Sequence, residues 1–242
     1  MKTALITGAS HGIGKAVAYK LAEEGYTLAL NCKNSRKELE NLCCELKNTY
    51  GVTARAFICD VSDSSAVCKM FTQIQAQIGN IDALVNNAGM SQIGLLSELA
   101  IDDWQKIIAT NLSSVFYCTK LAIPSMVHKK AGKILNISSV WGEVGASCEA
   151  AYSASKGGVN ALTKALAKEL APSNIQVNAI ACGCIDTRMN DCFNGEERLQ
   201  LETEIPAGRF GTPGEVAELA WALLSGHDYL TGQIVRLDGG WL

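Results

Sequence analysis

The chain has 242 residues, of which 48% are hydrophobic and 19% charged, and 21 basic and 24 acidic side chains give a formal net charge of −3. This composition excludes a disordered chain and lacks the basic excess of a protein that binds nucleic acid. No apolar stretch approaches the roughly 20 residues of a membrane-spanning helix, so we expect a soluble cytoplasmic protein with no membrane partner.

The ten cysteines are the second feature of the composition. Disulfide scaffolds are short chains with poor cores, so in a chain of this length we expect reduced thiols. No two cysteines have the C-x2-C spacing of a zinc site, and the three histidines are scattered, so no metal site is predicted.

Short apolar runs alternate with helix-length amphipathic segments along the whole chain, which is typical of a parallel sheet covered by helices. The predicted strands are residues 4–7, 27–31, 54–59, 83–86, 133–138, 176–182 and 233–237. The predicted helices are residues 12–24, 35–49, 63–78, 97–128, 151–171 and 213–225. No linker or repeat interrupts this pattern, so residues 1–242 are predicted to form one α/β domain with a doubly wound parallel sheet.

The least regular stretch, residues 184–211, follows the sixth predicted strand. At that place in a doubly wound sheet an insertion lies at the carboxyl edge, where ligands bind. A surface excursion without a function is the alternative.

A glycine-rich segment follows the first predicted strand and opens the first predicted helix. Glycines there allow a tight turn and let backbone N–H groups approach a pyrophosphate at the positive end of the helix. The spacing is G-x-x-x-G-x-G instead of G-x-G-x-x-G, and a plain tight turn is the alternative, but the strand before and the helix after favour a nucleotide site. The predicted cofactor residues of this segment are Gly8, Ser10, His11, Gly12, Ile13 and Gly14.

The end of the second predicted strand indicates which dinucleotide is bound. An NAD site usually places an acidic residue there for the ribose 2′-hydroxyl, but no Asp or Glu occurs between Gly25 and Lys37. Asn31 and the basic Lys33 occupy that region instead, which favours the 2′-phosphate of NADP(H). A solvated basic start of the next helix is the alternative.

Tyr152 and Lys156 are four residues apart at the start of a predicted helix and therefore share one face. A phenol is a poor acid–base group at neutral pH, and a nearby ammonium stabilises its anion. Ser139 ends the preceding apolar strand, where its hydroxyl would point to the same edge of the sheet. A packed tyrosine beside a surface lysine, and a serine that only ends a strand, are the ordinary alternatives.

The glycine-rich segment, Asn86-Asn87-Ala88-Gly89, Asn111, Ser139 and Tyr152-x-x-x-Lys156 occur in this order, and the combination resembles the classical short-chain dehydrogenase/reductase family over essentially the whole chain. The resemblance implies a Rossmann fold, a homotetramer and hydride transfer between a nicotinamide and a carbonyl carbon. It implies that Tyr152 is the general acid, that Lys156 binds the nicotinamide ribose and lowers the pKa of Tyr152, that Ser139 positions the carbonyl, and that Asn111 holds a relay water. The further cofactor residues that it implies are Asp60, Val61, Asn87, Ala88, Gly89, Gly183, Ile185 and Thr187.

One position departs from the family pattern. The family typically has Pro-Gly after the sixth strand, whereas this chain has Cys182-Gly183, so the loop over the nicotinamide is less restricted in φ. The thiol is either an oxidation-sensitive switch or an inert substitution, because reactivity depends on surroundings that the sequence does not show.

The length and the Asp238-Gly239-Gly240 ending look most like 3-oxoacyl-[acyl-carrier-protein] reductases of fatty acid biosynthesis, which implies acyl carrier protein as a partner. Those enzymes place basic residues near the mouth of the active site. Lys129-Lys130 provides the first of these positions, but Ser173 occupies the second, so steering of an acidic carrier would be weaker.

The loop at residues 139–149 instead resembles enzymes that reduce a 5-aminopentanone modification on a lysine of elongation factor P. In that interpretation Trp141 and Glu149 line the substrate pocket, together with Ser139 and Tyr152, and Glu149 meets a cationic amine. A packed Trp141 and a solvated Glu149 are the alternative. A sensor that binds NADP(H) without turnover is a third possibility, but such a protein has no need of the Asn-Ser-Tyr-Lys set.

Overall fold

A seven-stranded parallel sheet forms the centre of the structure, a computed structural model that describes residues 2–191 and 193–242. The strands are β1 Thr3–Ile6, β2 Thr27–Cys32, β3 Ala54–Ile58, β4 Ala83–Asn86, β5 Gly132–Ser139, β6 Ile175–Cys182 and β7 Ile234–Leu237. The helices are α1 Gly12–Glu23, α2 Arg36–Tyr50, α3 Ser64–Gln77, α4 Ile101–Ile108, α5 Ser114–Lys129, α6 Trp141–Val144, α7 Ala150–Leu170, α8 Gly195–Glu204 and α9 Pro213–Leu224. The predicted doubly wound parallel sheet is confirmed, and each predicted strand agrees with the structure to within one residue at either end.

Helices cover both faces of the sheet, which is why the strands are nearly continuous apolar runs. Successive residues of β1 enter different hydrophobic clusters: Ile6 packs with Val17 and Leu21 of α1, whereas Leu5 packs with Met70 of α3. Side chains of a strand alternate between its two faces, so in a strand that is buried on both faces every side chain lies in the protein interior.

The strand order β3-β2-β1-β4-β5-β6-β7 changes direction between β1 and β4. The loops after these two strands leave the sheet in opposite directions and open a crevice at its carboxyl edge. This topology places the candidate site.

The region predicted as one helix over 97–128 begins later and is not uniform. A π-helical turn, Ala109–Ser113, joins α4 to α5, so the helical segment runs from Ile101 to Lys129. A π-helical turn is a local bulge in helical hydrogen bonding and often occurs at functional sites. Here it carries Asn111.

The least regular predicted stretch, residues 184–211, contains a three-residue 3₁₀ turn and α8, a helix that was not predicted. Asn194 caps α8 in a reciprocal capping box with Glu197, a start signal present in the sequence. The short helix α6 was likewise not predicted.

The nine cysteines in the described part of the chain are all free thiols, whereas Cys192, like Met1, lies outside the described residues. Within the same residues, no helix combines the length and the apolarity of a membrane span.

Candidate active site

A cleft of about 680 Å³ lies along the carboxyl edge of the sheet. Loops that follow six of the strands contribute to its walls, and so does the C-terminal segment. All the predicted site residues line it except Gly14 and Asn111, which lie behind the wall. The topology therefore brings together residues that are far apart in the chain.

The glycine-rich segment has the conformation that its residues permit. Gly8 and Gly12 have φ values of +63° and +55°, in the left-handed region that favours glycine. A Cβ atom on Gly14 would lie 2.5 Å from the carbonyl oxygen of Gly8 and 2.6 Å from Nδ2 of Asn87, so no other residue fits there without displacing the loop. Gly14 therefore supports the conformation of the glycine-rich segment from behind the wall of the cleft.

Hydrogen bonds join the glycine-rich segment to the loop after β4. Oγ1 of Thr7 accepts from the backbone nitrogens of Asn87 and Ala88, both at 3.0 Å. Nδ2 of Asn87 donates to the carbonyl oxygens of Thr7 and Gly8 at 2.9 and 3.0 Å. The amide of Asn87 therefore supports the loop while the residue also lines the cleft.

The end of the cleft next to the glycine-rich segment, where the pyrophosphate is predicted to bind, has groups that could donate to an anion. Helix α1 begins at Gly12, and the His11 side chain makes no capping bond to it, which leaves backbone N–H groups of the first turn available to an anion. Arg188, which the sequence analysis missed, lines the cleft near His11. Burial, followed by the positive charge of Arg188, lowers the pKa of His11, so this ring is neutral near pH 7. These groups fit a dinucleotide phosphate.

In the part of the cleft formed by the loops after β2 and β3, where the adenosine is predicted to bind, an ion pair connects two predicted residues. Nζ of Lys33 lies 2.7 Å from Oδ2 of Asp60, and both side chains line the cleft. Asn31 is buried, and its Nδ2 donates to the carbonyl oxygens of Phe57 and Cys59 at 3.1 and 3.0 Å. The amide nitrogen of Asn31 thus joins β2 to β3, and Lys33, which is paired with Asp60 and more than half exposed, is the basic residue in this part of the cleft.

Tyr152 and Lys156 lie side by side on the first turns of α7, as their spacing predicts. Nζ of Lys156 is 5.6 Å from the centroid of the Tyr152 ring and donates to the carbonyl oxygen of Ile137 at 2.8 Å. Ser139 ends β5 at the same cleft, and its Oγ accepts from the backbone nitrogen of Trp141 at 3.2 Å. Three of the predicted catalytic side chains, those of Ser139, Tyr152 and Lys156, therefore meet at the cleft, although Tyr152 follows Ser139 by 13 positions in the chain.

Burial dominates the acid–base properties of Tyr152 and Lys156. Burial raises the pKa of Tyr152 above its ordinary value, and the hydrogen bond with Ser139 opposes this only in part. Burial also lowers the pKa of Lys156 to about 8. Lys156 is not among the groups that shift the pKa of Tyr152 here, so the expectation that Lys156 lowers this pKa stays a prediction.

Asn111 lies in the π-helical turn and is almost wholly buried. Its Oδ1 accepts from the backbone nitrogen of Met90 at 2.8 Å, and its Nδ2 donates to the Met90 carbonyl oxygen and to Oγ of Ser155. A carbon atom added at Gly89 would lie 3.5 Å from Oδ1 of Asn111 and 3.7 Å from Nζ of Lys156, so these two groups border the same space.

Cys182, the departure from the family pattern, is the last residue of β6 and lines the cleft. Burial raises the pKa of its thiol to about 12, and the nearby charge of Lys156 compensates only partly. The thiolate is the reactive form of cysteine, so these surroundings favour the inert interpretation over the oxidation-sensitive one.

The part of the cleft where the substrate is predicted to bind, here called the substrate end, is lined by Trp141 and Glu149, the two residues predicted there. Glu149 accepts a short hydrogen bond from the hydroxyl of Ser91, so it is not simply solvated. Trp141 packs edge-on against Trp241, with ring centroids 4.9 Å apart. The lining residues that the sequence analysis missed include Met90, Ser91, Ile93, Arg188, Met189, Phe193, Leu201 and Trp241.

Lys129 and Lys130 are not at the mouth of this cleft. They end α5 just before β5 begins, so they lie at the amino edge of the sheet, about 23 Å along the strand from Ser139. Nζ of Lys129 pairs with Oδ1 of Asp82 at 2.6 Å, and Asn174, next to Ser173, donates to the carbonyl oxygen of Lys130. The two predicted docking positions are neighbours in the structure, but they lie away from the cleft of this chain, so the expectation that they lie near its mouth was wrong.

The amino-acid sequence is similar to those of known proteins over its whole length. The model of the short chain dehydrogenase family matches residues 2–198. The chain is 42% identical over 240 residues to "3-oxoacyl-[acyl-carrier-protein] reductase FabG" of Staphylococcus aureus (strain Mu50), covering 99% of this chain and 97% of that protein. It is 41% identical over 241 residues to "Uncharacterized oxidoreductase YmfI" of Bacillus subtilis (strain 168), covering 99% and 98%.

The fold is likewise similar to a solved structure. A short-chain type dehydrogenase/reductase from Mycobacterium marinum superposes with a TM-score of 0.93 at 34% identity, covering 99% of this chain and 95% of that one. Together with the family match and the convergence of Ser139, Tyr152 and Lys156 on one cleft, this similarity shows that the chain is an oxidoreductase and belongs to the short-chain dehydrogenase/reductase family.

Proposed function

We propose that the chain is an NADP(H)-dependent carbonyl reductase that acts in the cytoplasm on 3-oxoacyl groups carried on acyl carrier protein, in fatty acid biosynthesis. The observation that carries this proposal is the meeting of Ser139, Tyr152 and Lys156 in a cleft whose other end has the glycine-rich segment. The similarity to proteins named 3-oxoacyl-[acyl-carrier-protein] reductase supports the substrate class.

The reaction needs an acid that keeps its proton until the carbonyl oxygen becomes negative. A nicotinamide dinucleotide, when bound, supplies the hydride. Ser139 and Tyr152 donate hydrogen bonds to the carbonyl oxygen, and these bonds strengthen as negative charge develops there. Burial keeps Tyr152 protonated at neutral pH, and Lys156 stabilises the phenolate that remains after proton transfer. Asn111 borders the same space as Lys156, which supports its proposed role of holding a water that returns the proton to Tyr152.

The preference for NADP(H) rests on Lys33. No acidic residue follows β2 within the described loop, and the Lys33 ammonium lines the cleft within reach of Asp60. The 2′-phosphate would compete with Asp60 for this ammonium, so we expect Lys33→Ala to raise the KM for NADPH severalfold and to leave the KM for NADH nearly unchanged. Equal effects on both cofactors would contradict the assignment.

One observation favours a second substrate. Glu149 lines the substrate end of the cleft, where a carboxylate suits a cationic amine and has no partner in an acyl chain. A 5-aminopentanone group on a lysine of elongation factor P has such an amine. We therefore keep reduction of this group as the second candidate function.

Parallel assays distinguish these candidates. Purified protein is tested for NADPH oxidation with acetoacetyl-[acyl-carrier-protein] and with elongation factor P that carries the aminopentanone, for the wild type and for Glu149→Gln. Loss of the charge is expected to reduce kcat/KM for the amine substrate only. Tight NADPH binding without turnover of any ketone would refute both candidates and favour the sensor.

We also propose that the protein forms a homotetramer. Several large apolar side chains of α4 and α5 are exposed, among them Ile101 at 75% and Phe116 at 48%, which supports an interface on these helices. Because Lys129 and Lys130 lie at the amino edge of their own sheet, they would guide a carrier protein only toward the cleft of another subunit. Tetramer formation and carrier docking are therefore linked in this proposal.

A further inference from the structure

A pair of tryptophans that are 100 positions apart forms one part of the substrate end of the cleft. Trp141 lies on α6, directly after Ser139 and Val140, whereas Trp241 belongs to the C-terminal segment, residues 238–242. The ring centroids are 4.9 Å apart with an interplanar angle of 62°, the edge-to-face arrangement that aromatic rings prefer. Both side chains are half-buried and both line the cleft with Ser139, Glu149 and Tyr152.

Trp141 is fixed by close contact between α6 and the catalytic helix. A Cβ atom on Gly142 would lie 2.7 Å from the backbone carbonyl carbon of Lys156 and 2.9 Å from the backbone nitrogen of Gly157. The missing side chain therefore lets α6 rest on the backbone of the turn that carries the catalytic lysine. The position of the Trp141 ring is set relative to the reacting groups.

Trp241 is fixed by polar contacts that begin at Arg236 of β7. Nε of Arg236 donates to Oε2 of Glu143 at 2.6 Å, and its Nη1 donates to the main-chain oxygen of Leu242 at 2.5 Å. One guanidinium thus joins the helix that carries Trp141 to the residue that follows Trp241. The fork of N–H groups in arginine suits this double role, which the single ammonium of lysine fills less well.

Asp238 closes the same segment from its other end. Its side chain accepts from the backbone nitrogens of Gly240 and Leu242 at 3.0 and 3.2 Å. A Cβ atom on Gly183 would lie 2.8 Å from Cα of Asp238, so the segment also packs directly on the loop after β6. The C-terminal segment therefore contacts both the loop after β6 and the aromatic pair.

We propose that Trp241 is a substrate-specificity residue, which with Trp141 binds the carbon chain next to the carbonyl, and that Arg236 is the positioning residue that holds it there. The proposal rests on the proposed carbonyl reductase function. Indole faces bury methylene groups well, and the contribution grows with the number of methylenes that reach them. The expected signature is a dependence on chain length in KM and not in the chemical step.

The experiment compares two 3-oxoesters of different length, ethyl acetoacetate and ethyl 3-oxohexanoate, with NADPH as reductant. Trp241→Ala is expected to raise the KM for the longer ester about three- to tenfold more than that for the shorter one, and to leave kcat and the KM for NADPH nearly unchanged. Trp241→Phe, which keeps an aromatic ring and preserves folding, is expected to lie between this variant and the wild type.

Arg236→Gln is expected to reproduce most of the effect of Trp241→Ala, and Arg236→Lys to restore part of it. Arg209→Gln is the matched control, because Arg209 also binds one carboxylate, that of Glu215, and one main-chain oxygen, that of Phe210, and lies outside the cleft lining. Loss of the circular-dichroism signal of the coupled indoles in Arg236→Gln, but not in Arg209→Gln, would show the positioning directly.

Several outcomes would overturn the inference. One is an equal change in KM for the two esters in Trp241→Ala. Another is a parallel rise in the KM for NADPH, which would indicate general damage to the cleft. A wild-type protein that reduces neither ester would instead contradict the proposed function, and the dichroism of Arg236→Gln would still test the positioning: an unchanged indole signal would refute it.

Discussion

At the scale of single residues, burial controls the acid–base chemistry of the cleft. Burial raises the pKa of Tyr152 and lowers that of Lys156, since each neutral form is favoured away from water. A protonated phenol is the form that carbonyl reduction requires, so desolvation favours the form of Tyr152 that the proposed role as acid needs. Tyr152 is neutral in this form, so the ammonium of Lys156 is the charge that is lost as the pH rises.

Tyr152→Phe tests the role of the phenol as acid. The ring keeps its packing, so NADPH binding and folding are expected to be unchanged, whereas turnover of a 3-oxoester is expected to fall about 10²–10⁴-fold, the usual contribution of a general acid. Tyr26→Phe is the matched control, because Tyr26 is also buried but packs against Trp221 away from the cleft. Ketone reduction retained in Tyr152→Phe would refute the assignment.

The pH dependence of kcat/KM for ketone reduction tests Lys156. Its pKa is lowered to about 8, so the ammonium is present below pH 8 and is lost above it, and kcat/KM is expected to fall on the alkaline side with an apparent pKa near 8. The raised pKa of Tyr152 excludes the phenol as the source of this change. Cys182→Ser is expected to keep the same profile, because a thiol with a pKa of about 12 does not titrate in this range. A flat profile to pH 10 would contradict the prediction.

At the scale of elements, the glycine-rich segment and helix α1, which follows it, form one packed unit. Gly8, Gly14 and Asn87 are in close contact, and Thr7 joins this group through the loop after β4. The unit leaves no space for a side chain at Gly14, although this residue does not itself line the cleft. Its role in binding is therefore indirect.

Gly14→Ala is expected to weaken NADPH binding at least tenfold, because the new methyl group would displace the Gly8 carbonyl or the Asn87 amide. Binding is measured by NADPH fluorescence, and stability by thermal unfolding. Gly214→Ala is the control: it lies in the first turn of α9, where the nearest atom to the added carbon is 3.8 Å away, and alanine there is expected to stabilise the helix by about 0.5–1 kcal/mol. Unchanged NADPH binding in Gly14→Ala would contradict the role given to the loop.

At the scale of the whole molecule, the parallel sheet separates two surfaces. The carboxyl edge has the cleft, and the amino edge has Lys129 and Lys130. The outer surface of α4 and α5, with its exposed Ile101 and Phe116, connects the two edges and is the surface that we expect to be buried between subunits.

Phe116→Glu is expected to convert the tetramer into smaller species. The substitution places a charge in an apolar interface, and burying that charge has a free-energy cost that loss of the ring alone does not have. Sedimentation velocity measures the change. Leu199→Glu is the control, since Leu199 is 65% exposed on α8 and lies outside α4 and α5. A wild-type monomer, or a tetramer unaffected by Phe116→Glu, would contradict the proposed interface.

Features that depend on neighbouring residues could be predicted from the sequence. Strand and helix periods specify the doubly wound sheet, Tyr152 and Lys156 meet because four residues make about one helical turn, and the glycine-rich segment is contiguous. The Tyr152–Lys156 pair and the glycine-rich segment involve residues that are close together in the chain, so the order of residues alone is enough to predict them.

Other features join residues that are distant in the chain. The ion pair between Lys33 and Asp60, the edge-to-face contact of Trp241 with Trp141, and the placement of Lys129 far from the cleft follow from strand order and from how the elements pack. The same holds for the pKa of Tyr152, because desolvation depends on every group that surrounds a side chain. The amino-acid sequence thus indicates a candidate acid, its neighbouring lysine and a candidate nucleotide loop, whereas burial and long-range packing determine the protonation of these groups and the remaining walls of the cleft.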